Sequence, residues 1–397
     1  MKEFIVLMAS LMSIVAISID AMLPALGIMG PDLNVTHPNQ QQLIISLIFL
    51  GMMAGQLISG SASDALGRKK VLFIGLGVYV VGSFVCFLSQ DIGMMLFGRF
   101  VQGLGVSAPY VCAIAIVRDK YAGRDMARIM SIIMVFFMIV PAIAPSIGQA
   151  ILNFGSWHTI FIMYIVLAAV LGTWCFFRLE ETLHPEDKIP FKFKNLAHGF
   201  GIVVRTRLTM CYTIAMGICF GSLIGYLNSS QQVFQVMFGT GETFTLYFGA
   251  LALVLGAASL LNSRIVQKYG MRRICYIAST SVVIASAIFL VVNLNVQVEL
   301  WMFMAYASVL FFSFGVMFGN LNSIAMEPMG HIAGVASAVT GAMSSLLSVS
   351  LGTLIGQLYN GTLIPLTIGF LVLNLISLIL MKAAGKSPDP DAAQIPH

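Results

Sequence analysis

The sequence predicts an all-α membrane protein of twelve transmembrane helices, arranged as two pseudo-symmetric six-helix bundles. Three observations carry that prediction. Of 397 residues, 58% are apolar and only 9% are charged, whereas a soluble domain carries about a quarter charged residues. The apolar residues fall in twelve long runs, and the basic residues are sorted by loop. This composition excludes an ordinary soluble enzyme, a disordered chain and a free-standing nucleic-acid binder. The net charge of +5 therefore reports placement in a membrane, and no nucleic-acid partner is expected.

The runs lie at about 4–27, 43–63, 71–90, 93–116, 126–150, 157–177, 208–232, 244–264, 273–293, 299–325, 331–356 and 363–384. A helix needs about 20 apolar residues to span the hydrocarbon core. Strands of a membrane barrel would be about ten residues long with strict alternation, a pattern this sequence lacks. Arg68, Lys69 and Lys70 follow the second run, and Arg118, Lys120, Arg124 and Arg128 follow the fourth. The central connection carries Arg178, Lys188, Lys192, Lys194, Arg205 and Arg207. Arg264, Lys268, Arg272 and Arg273 flank the loop after the eighth run, and Lys2, Lys382 and Lys386 lie at the termini. If twelve helices alternate, all of these face one side. Of the 21 Lys and Arg residues only Arg99 is left out. By the positive-inside rule the basic loops and both termini are expected in the cytoplasm, as in a bacterial inner-membrane protein. The loop after the tenth run is the weak point, offering only Glu327 and His331.

The first run shows no small-residue cleavage site, and Asp20 interrupts it, so it is expected to stay as a span. Cys86, Cys112, Cys175, Cys211, Cys219 and Cys275 all fall inside apolar runs, with no CxxC and no nearby His cluster. They read as buried filler, and neither a metal nor a cofactor is expected. The longest polar stretch sets the domain boundaries: a first bundle at 1–177, a cytoplasmic linker at 178–207, a second bundle at 208–384 and a cytoplasmic tail at 385–397. An echo supports the division. Gly67-Arg68-Lys69 after the second run and Gly270-Met271-Arg272-Arg273 after the eighth both set a glycine before a basic pair. Parallel halves related by an axis along the membrane normal are one of the known transporter plans.

The run from Gly60 to Lys70 resembles the signature loop of the major facilitator superfamily, with Gly60, Asp64, Gly67, Arg68 and Lys69 matching and Ala62 in place of the usual Leu. Gly67 is suited to a positive φ in a tight turn, Gly60 to close helix approach, and Asp64 to pairing with a base. In that family the loop acts as a cytoplasmic latch of the outward-facing state. Arg99-Phe-Val-Gln102-Gly103-Leu-Gly105 is similar to the family's R-x-x-Q-G-x-G. In the fifth run, which also holds Pro141, Ala144-Pro145-Ser146-Ile147-Gly148 resembles the antiporter motif, with Gln149 in place of its last Gly. Proline and glycine are tolerated there because neighbouring helices re-satisfy the backbone, and they are expected to form a hinge. Glu181-Thr182-Leu183 resembles the run that ends the sixth helix, and Trp157-His158 stands where relatives carry Trp-Arg. Asp20-Ala-Met-Leu23-Pro24-Ala25-Leu26 resembles the bicyclomycin/chloramphenicol-resistance branch of the twelve-helix drug–proton antiporters. The resemblance implies the facilitator fold and a proton-coupled exporter of small amphipathic compounds or drugs, acting by alternating access as a monomer.

Asp20 and Arg99 are the ionisable groups that lie well inside the apolar runs. Such residues usually face the bundle interior and mark ion pathways. At about 1.5 Å per residue both are expected roughly 10 Å below the outer boundary, a matched depth that permits contact. Desolvation favours the neutral carboxyl and a guanidinium favours the ionised one. Their competition is expected to let Asp20 exchange a proton near neutral pH, while Arg99 stays charged. A structural ion pair fixing two helices is the plainer alternative. Met12 stands where some multidrug relatives have a second acid, which favours a single-carboxylate site. Candidate cargo contacts are Tyr110, Phe220, Tyr226, Asn228, Gln231, Phe314, Phe318, Asn320 and Asn322, polar or aromatic groups in apolar runs that could equally serve packing. Small-residue stripes at Gly51, Gly55, Ser59 and at Ser337, Gly341, Ser345 read as helix-packing devices. A dedicated metabolite exporter and a proton-coupled importer share this pattern. An enzyme is not expected, for the sequence has no HExxH, GxSxG or GxxxxGK[ST].

Overall fold

The computed structural model describes residues 2–183, 186 and 200–385. Most of the predicted linker and tail, with Lys188, Lys192, Lys194 and Lys386, lie outside the described residues. Among the described residues twelve helices are long and apolar enough to cross a membrane. The first span runs from Lys2 to Asp32 and is broken. Helix α1 (Lys2–Asp20) ends in a 3-10 turn at Leu23–Ala25 and resumes as α2 (Leu26–Asp32). Pro24 supplies no N–H to the ladder, so the break is written in the sequence. The apolar run expected to end near residue 27 continues past the break to Asp32.

The first half continues with α3 (Leu43–Leu66), α4 (Arg68–Phe87), α5 (Ile92–Lys120), α6 (Gly123–Phe154) and α7 (Trp157–Arg178). The second half comprises α8 (Arg207–Gln231), α9 (Phe244–Tyr269), α10 (Met271–Asn295), α11 (Leu300–Met326), α12 (Ala333–Gln357) and α13 (Ile364–Ala383). In the first half α3 and α4 pack on α5, α4 on α7, and α1 on α5 and α6. In the second, α12, α13 and α11 pack on α8, while α9 and α10 pack on α11. The halves meet along two lines, α6 against α9 and α3 against α12.

Gly67 turns the corner between α3 and α4 at φ +106°, and Gly270 turns the equivalent corner between α9 and α10 at φ +77°. Both lie in the region that favours glycine, which accounts for the echo in the sequence. The first small-residue stripe packs as expected: Gly51 and Gly103 let α3 and α5 touch, and Ser59 bonds Ser107 at 3.1 Å. The second does not. A Cβ on Gly341 would meet nothing within 4 Å, and α12 packs on α8 through Gly352 instead. The expected close approach at Gly60 is also absent, for nothing lies within 4 Å of it.

Candidate functional site

The break in the first span frees backbone groups, and the residues around it take them up. Arg99, fully buried on α5, donates from Nη2 to the Ser18 carbonyl at 3.0 Å and from Nε to the Ile44 carbonyl at 3.1 Å. Its Nη1 donates to Gln102 Oε1, and Gln102 Nε2 donates to Ser83 Oγ at 2.9 Å. Tyr164 of α7 donates to the carbonyls of Ile17 and Ser18, both at 3.2 Å, and the Tyr79 hydroxyl pairs with Ser18 Oγ at 2.6 Å. A guanidinium presents a rigid fork of donors, in this case tying α5 to α1 and α3. Arg99 and Gln102 of the predicted motif therefore work as one unit, while Gly103 supplies the contact with α3.

Asp20 is not part of that cage. It lies at the last position of α1, is 5% exposed, and has no hydrogen-bond or ion-pair partner among the described residues. The ion pair that matched depth permitted is not formed: Arg99 spends its donors on carbonyl oxygens two residues before Asp20 and across on α3. Behind the break lies α6. Pro145 and Gly148 are buried there, Pro141 is half-buried, and a Cβ on Gly148 would overlap the Ala21 carbonyl oxygen. Gly148→Val is accordingly expected to push α6 off the break. Overpacking of this kind costs about 1–3 kcal/mol, to be read as a lowered melting temperature of the purified protein. Gln149, the departure from the motif, is half-buried and donates to Asn153 at 2.9 Å on its own helix.

The cargo candidates separate into groups. Phe220 and Phe318 stack at 4.0 Å, with Phe220 37% exposed. Tyr110 is half-buried on α5, 6.2 Å from the Phe137 ring. Asn322 is exposed, whereas Asn320 is paired with Asn262 at 2.9 Å inside the second half. Phe314 is fully buried between Phe318 and Phe370. Tyr226 is buried among Phe234, Phe248 and Phe311, and its hydroxyl has no partner among the described residues.

Asn228 and Gln231 belong to an amide seam that sequence reasoning missed. Asn228 donates to Ser46 Oγ at 3.0 Å, Gln41 to Gln231 at 3.3 Å, and Thr353 to Ser46 at 2.8 Å. Gln232 donates to the Pro38 carbonyl and to Asn39 Oδ1, both at 3.1 Å, and accepts from Gln42. Asn39 and Gln357 exchange bonds of 3.0 and 2.8 Å. A π-helical turn at Gln232–Met237 ends α8 beside the seam, a form often found at functional sites. The seam joins the halves at the face away from the basic loops. Gln232→Ala removes three of its bonds, each worth about 0.5–1.5 kcal/mol net. It is expected to raise the reactivity of a cysteine introduced at Ser46 toward an impermeant maleimide about tenfold or more, since roughly 1.4 kcal/mol is a factor of ten.

At the basic face the signature loop is bonded within the first half and to the start of the segment that follows it. Arg68 pairs with Asp64 and, through Nε, with Asp119 at 3.0 Å, while Ser63 accepts from its Nη1 at 2.8 Å. Glu181 accepts the backbone N–H groups of Arg68 at 2.9 Å and Lys69 at 3.1 Å, so a carboxylate caps the N-terminus of α4. Lys69 Nζ donates to the Leu179 carbonyl at 2.6 Å. In the second half Arg272 pairs with Glu327 at 3.1 Å. Among the described residues no bond of the signature loop reaches across the halves, so the expected latch is not engaged. At the opposite face Trp157 donates to Asp32 at 2.7 Å and stacks on His158, pinning the end of the first span. No group of three or more His, Cys, Asp or Glu among the described residues is placed to hold a metal.

Among the described residues, twelve spans in two six-helix bundles, hydrogen-bonded together at one face and unlatched at the other, with a buried, unpartnered carboxyl at a broken helix, define a multi-pass membrane transporter. The family model of the Major Facilitator Superfamily matches residues 6–353, and the chain belongs to that superfamily. It is 31% identical to the MFS-type transporter YdgK of Bacillus subtilis (strain 168), over 86% of this chain and 85% of that one. It is 27% identical to the bicyclomycin resistance protein homolog of Haemophilus influenzae over 91% of each chain. It is 26% identical to the multidrug resistance protein MdtL of Klebsiella pneumoniae (strain 342) over 96% of each. Its fold matches the crystal structure of the human organic anion transporter MFSD10 with a TM-score of 0.71 at 16% identity, covering 97% of this chain and 99% of that one.

Proposed function

We propose that this protein exports small amphipathic compounds, drugs among them, in exchange for protons. It does so by alternating access, as a monomer in a bacterial inner membrane with its basic face and both termini in the cytoplasm. The observation that carries this reading is the placement of Asp20: a buried carboxyl without a partner, at a helix break, beside the line where the halves meet. An unpaired ionised carboxylate is costly inside a membrane, so its charge biases which packing of the halves is preferred. A proton taken up from outside removes that cost and leaves toward the cytoplasm after cargo has loaded. A charge moving through about 100 mV is worth about 2.3 kcal/mol, to which a pH gradient adds. The resistance proteins among its relatives support drugs as cargo.

Arg99 and Gln102 then serve as the rigid frame that fixes Asp20, and Pro141, Pro145 and Gly148 as the hinge behind it. The paired rings of Phe220 and Phe318, with Tyr110, Asn320 and Asn322, are the proposed cargo contacts on the cytoplasmic side. Asn228 and Gln231 act in the outer gate. The bare glycines Gly60 and Gly341 lie on helices that face each other across the halves, where closing of the cytoplasmic face would bring them together. The segment 178–207 links the bundles 1–177 and 208–384, with 385–397 as a cytoplasmic tail. A susceptibility and metabolite-export screen of a deletion strain tests the reading. Complementation by the wild type but not by Asp20→Asn is expected, and a strain unchanged in every compound exported would refute it.

A further inference from the structure

Two buried polar groups without partners among the described residues lie on opposite halves of the molecule. One is the Asp20 carboxyl on α1, and the other is the Tyr226 hydroxyl on α8. Three observations bring them together. The 3-10 turn just after Asp20 packs on α8. One level outward, Gly27 sits against the amide of Gln231, 2.6 Å from where its Cβ would lie. Asp20 is also within electrostatic reach of the Tyr226 phenol. A phenol buried without a partner carries the full cost of desolvation, and phenylalanine in its place would pack equally well among Phe234, Phe248 and Phe311.

The other groups near Asp20 are engaged elsewhere. Arg99 on α5, Tyr164 on α7 and Tyr79 on α4 are bonded to Ser18 and its neighbours, and Cys86 on α4 lies by Met95. The α6 segment against the break, from Pro141 to Ile151, has no titratable side chain. On the second half Tyr247 lies behind the Phe234 ring, and Tyr306 is paired with Ser286 at 2.9 Å.

We propose that Tyr226 is the positioning residue through which the second half senses the charge on Asp20, donating its hydroxyl to the ionised carboxylate through one bridging water. The proposal rests on the reading of Asp20 as the proton site. Bridging waters are nearly as good as direct bonds in such sites. Protonation of Asp20 weakens this bridge and with it the tie between the halves, so that the charge change becomes a change in packing.

The test is an infrared difference titration of the purified full-length protein in lipid, from about pH 5 to pH 9, following the Asp20 carboxyl with Asp20→Asn as the reference. Tyr226→Phe is expected to move the midpoint upward by about one pH unit, roughly tenfold in proton concentration, because the ionised form loses a donor. Phe311→Leu loosens the rings and leaves the hydroxyl, so it is expected to keep the wild-type midpoint. An unmoved midpoint in Tyr226→Phe, or an equal shift in Phe311→Leu, overturns the role of Tyr226 while leaving Asp20 as the proton site. If no band is lost in Asp20→Asn, the reading of Asp20 fails as well.

Discussion

Asp20→Asn is expected to abolish export driven by a pH gradient while the protein still inserts and lets cargo equilibrate downhill. Asparagine keeps the size and position of the side chain at the end of α1 and removes only the exchangeable proton. No directly bonded protein group is orphaned by the change, since the carboxyl has none among the described residues, so folding is spared. A charge crossing about 100 mV sustains a gradient of roughly fiftyfold for a neutral cargo, and that accumulation is what the variant loses. Uptake into everted membrane vesicles measures it. Accumulation at the wild-type level in the variant would place the coupling on another residue.

Arg99→Lys carries the second large effect. Arg99 is fully buried and serves the carbonyls of Ser18 and Ile44 together with Gln102. Lysine keeps the charge but lacks the planar fork, so at least one carbonyl is left without a donor in a setting where water cannot replace it. An unsatisfied buried group costs about 1–3 kcal/mol, and the frame that positions Asp20 loosens with it. Transport is expected to fall at least tenfold together with the melting temperature. A lysine variant with wild-type melting and transport would mean that the fork geometry is dispensable.

Much of the architecture was legible because membrane insertion writes itself into composition. Twelve apolar runs and the sorting of Lys and Arg by loop followed from the lack of water in the bilayer core. The positive φ of Gly67 and the pairing of Asp64 followed from a motif whose side chains act locally. What stayed hidden was carried by backbone. Arg99 was found, but its partners are carbonyl oxygens of Ser18 and Ile44, and a carbonyl has no signature in a sequence. Matched depth permitted contact between Asp20 and Arg99, and the carbonyl partners of Arg99 decide against it. The seam was hidden differently: Asn228 and Gln231 are conspicuous as polar residues in an apolar run, but whether such an amide meets cargo or another helix depends on the pairing of halves. Gln41, Gln42 and Asn39, which answer them, fall in a short segment at the start of the second span. The π turn at Gln232–Met237 has no counterpart in the apolar pattern either.

The central claim is that Asp20 carries a proton in exchange for cargo. The most direct measurement is proton movement in proteoliposomes holding a pH-sensitive dye, on addition of a compound identified by the deletion screen. The account predicts a cargo-driven proton flux of opposite direction in the wild type and none in Asp20→Asn. Cargo moving without a proton flux, or a flux that survives in Asp20→Asn, would contradict it.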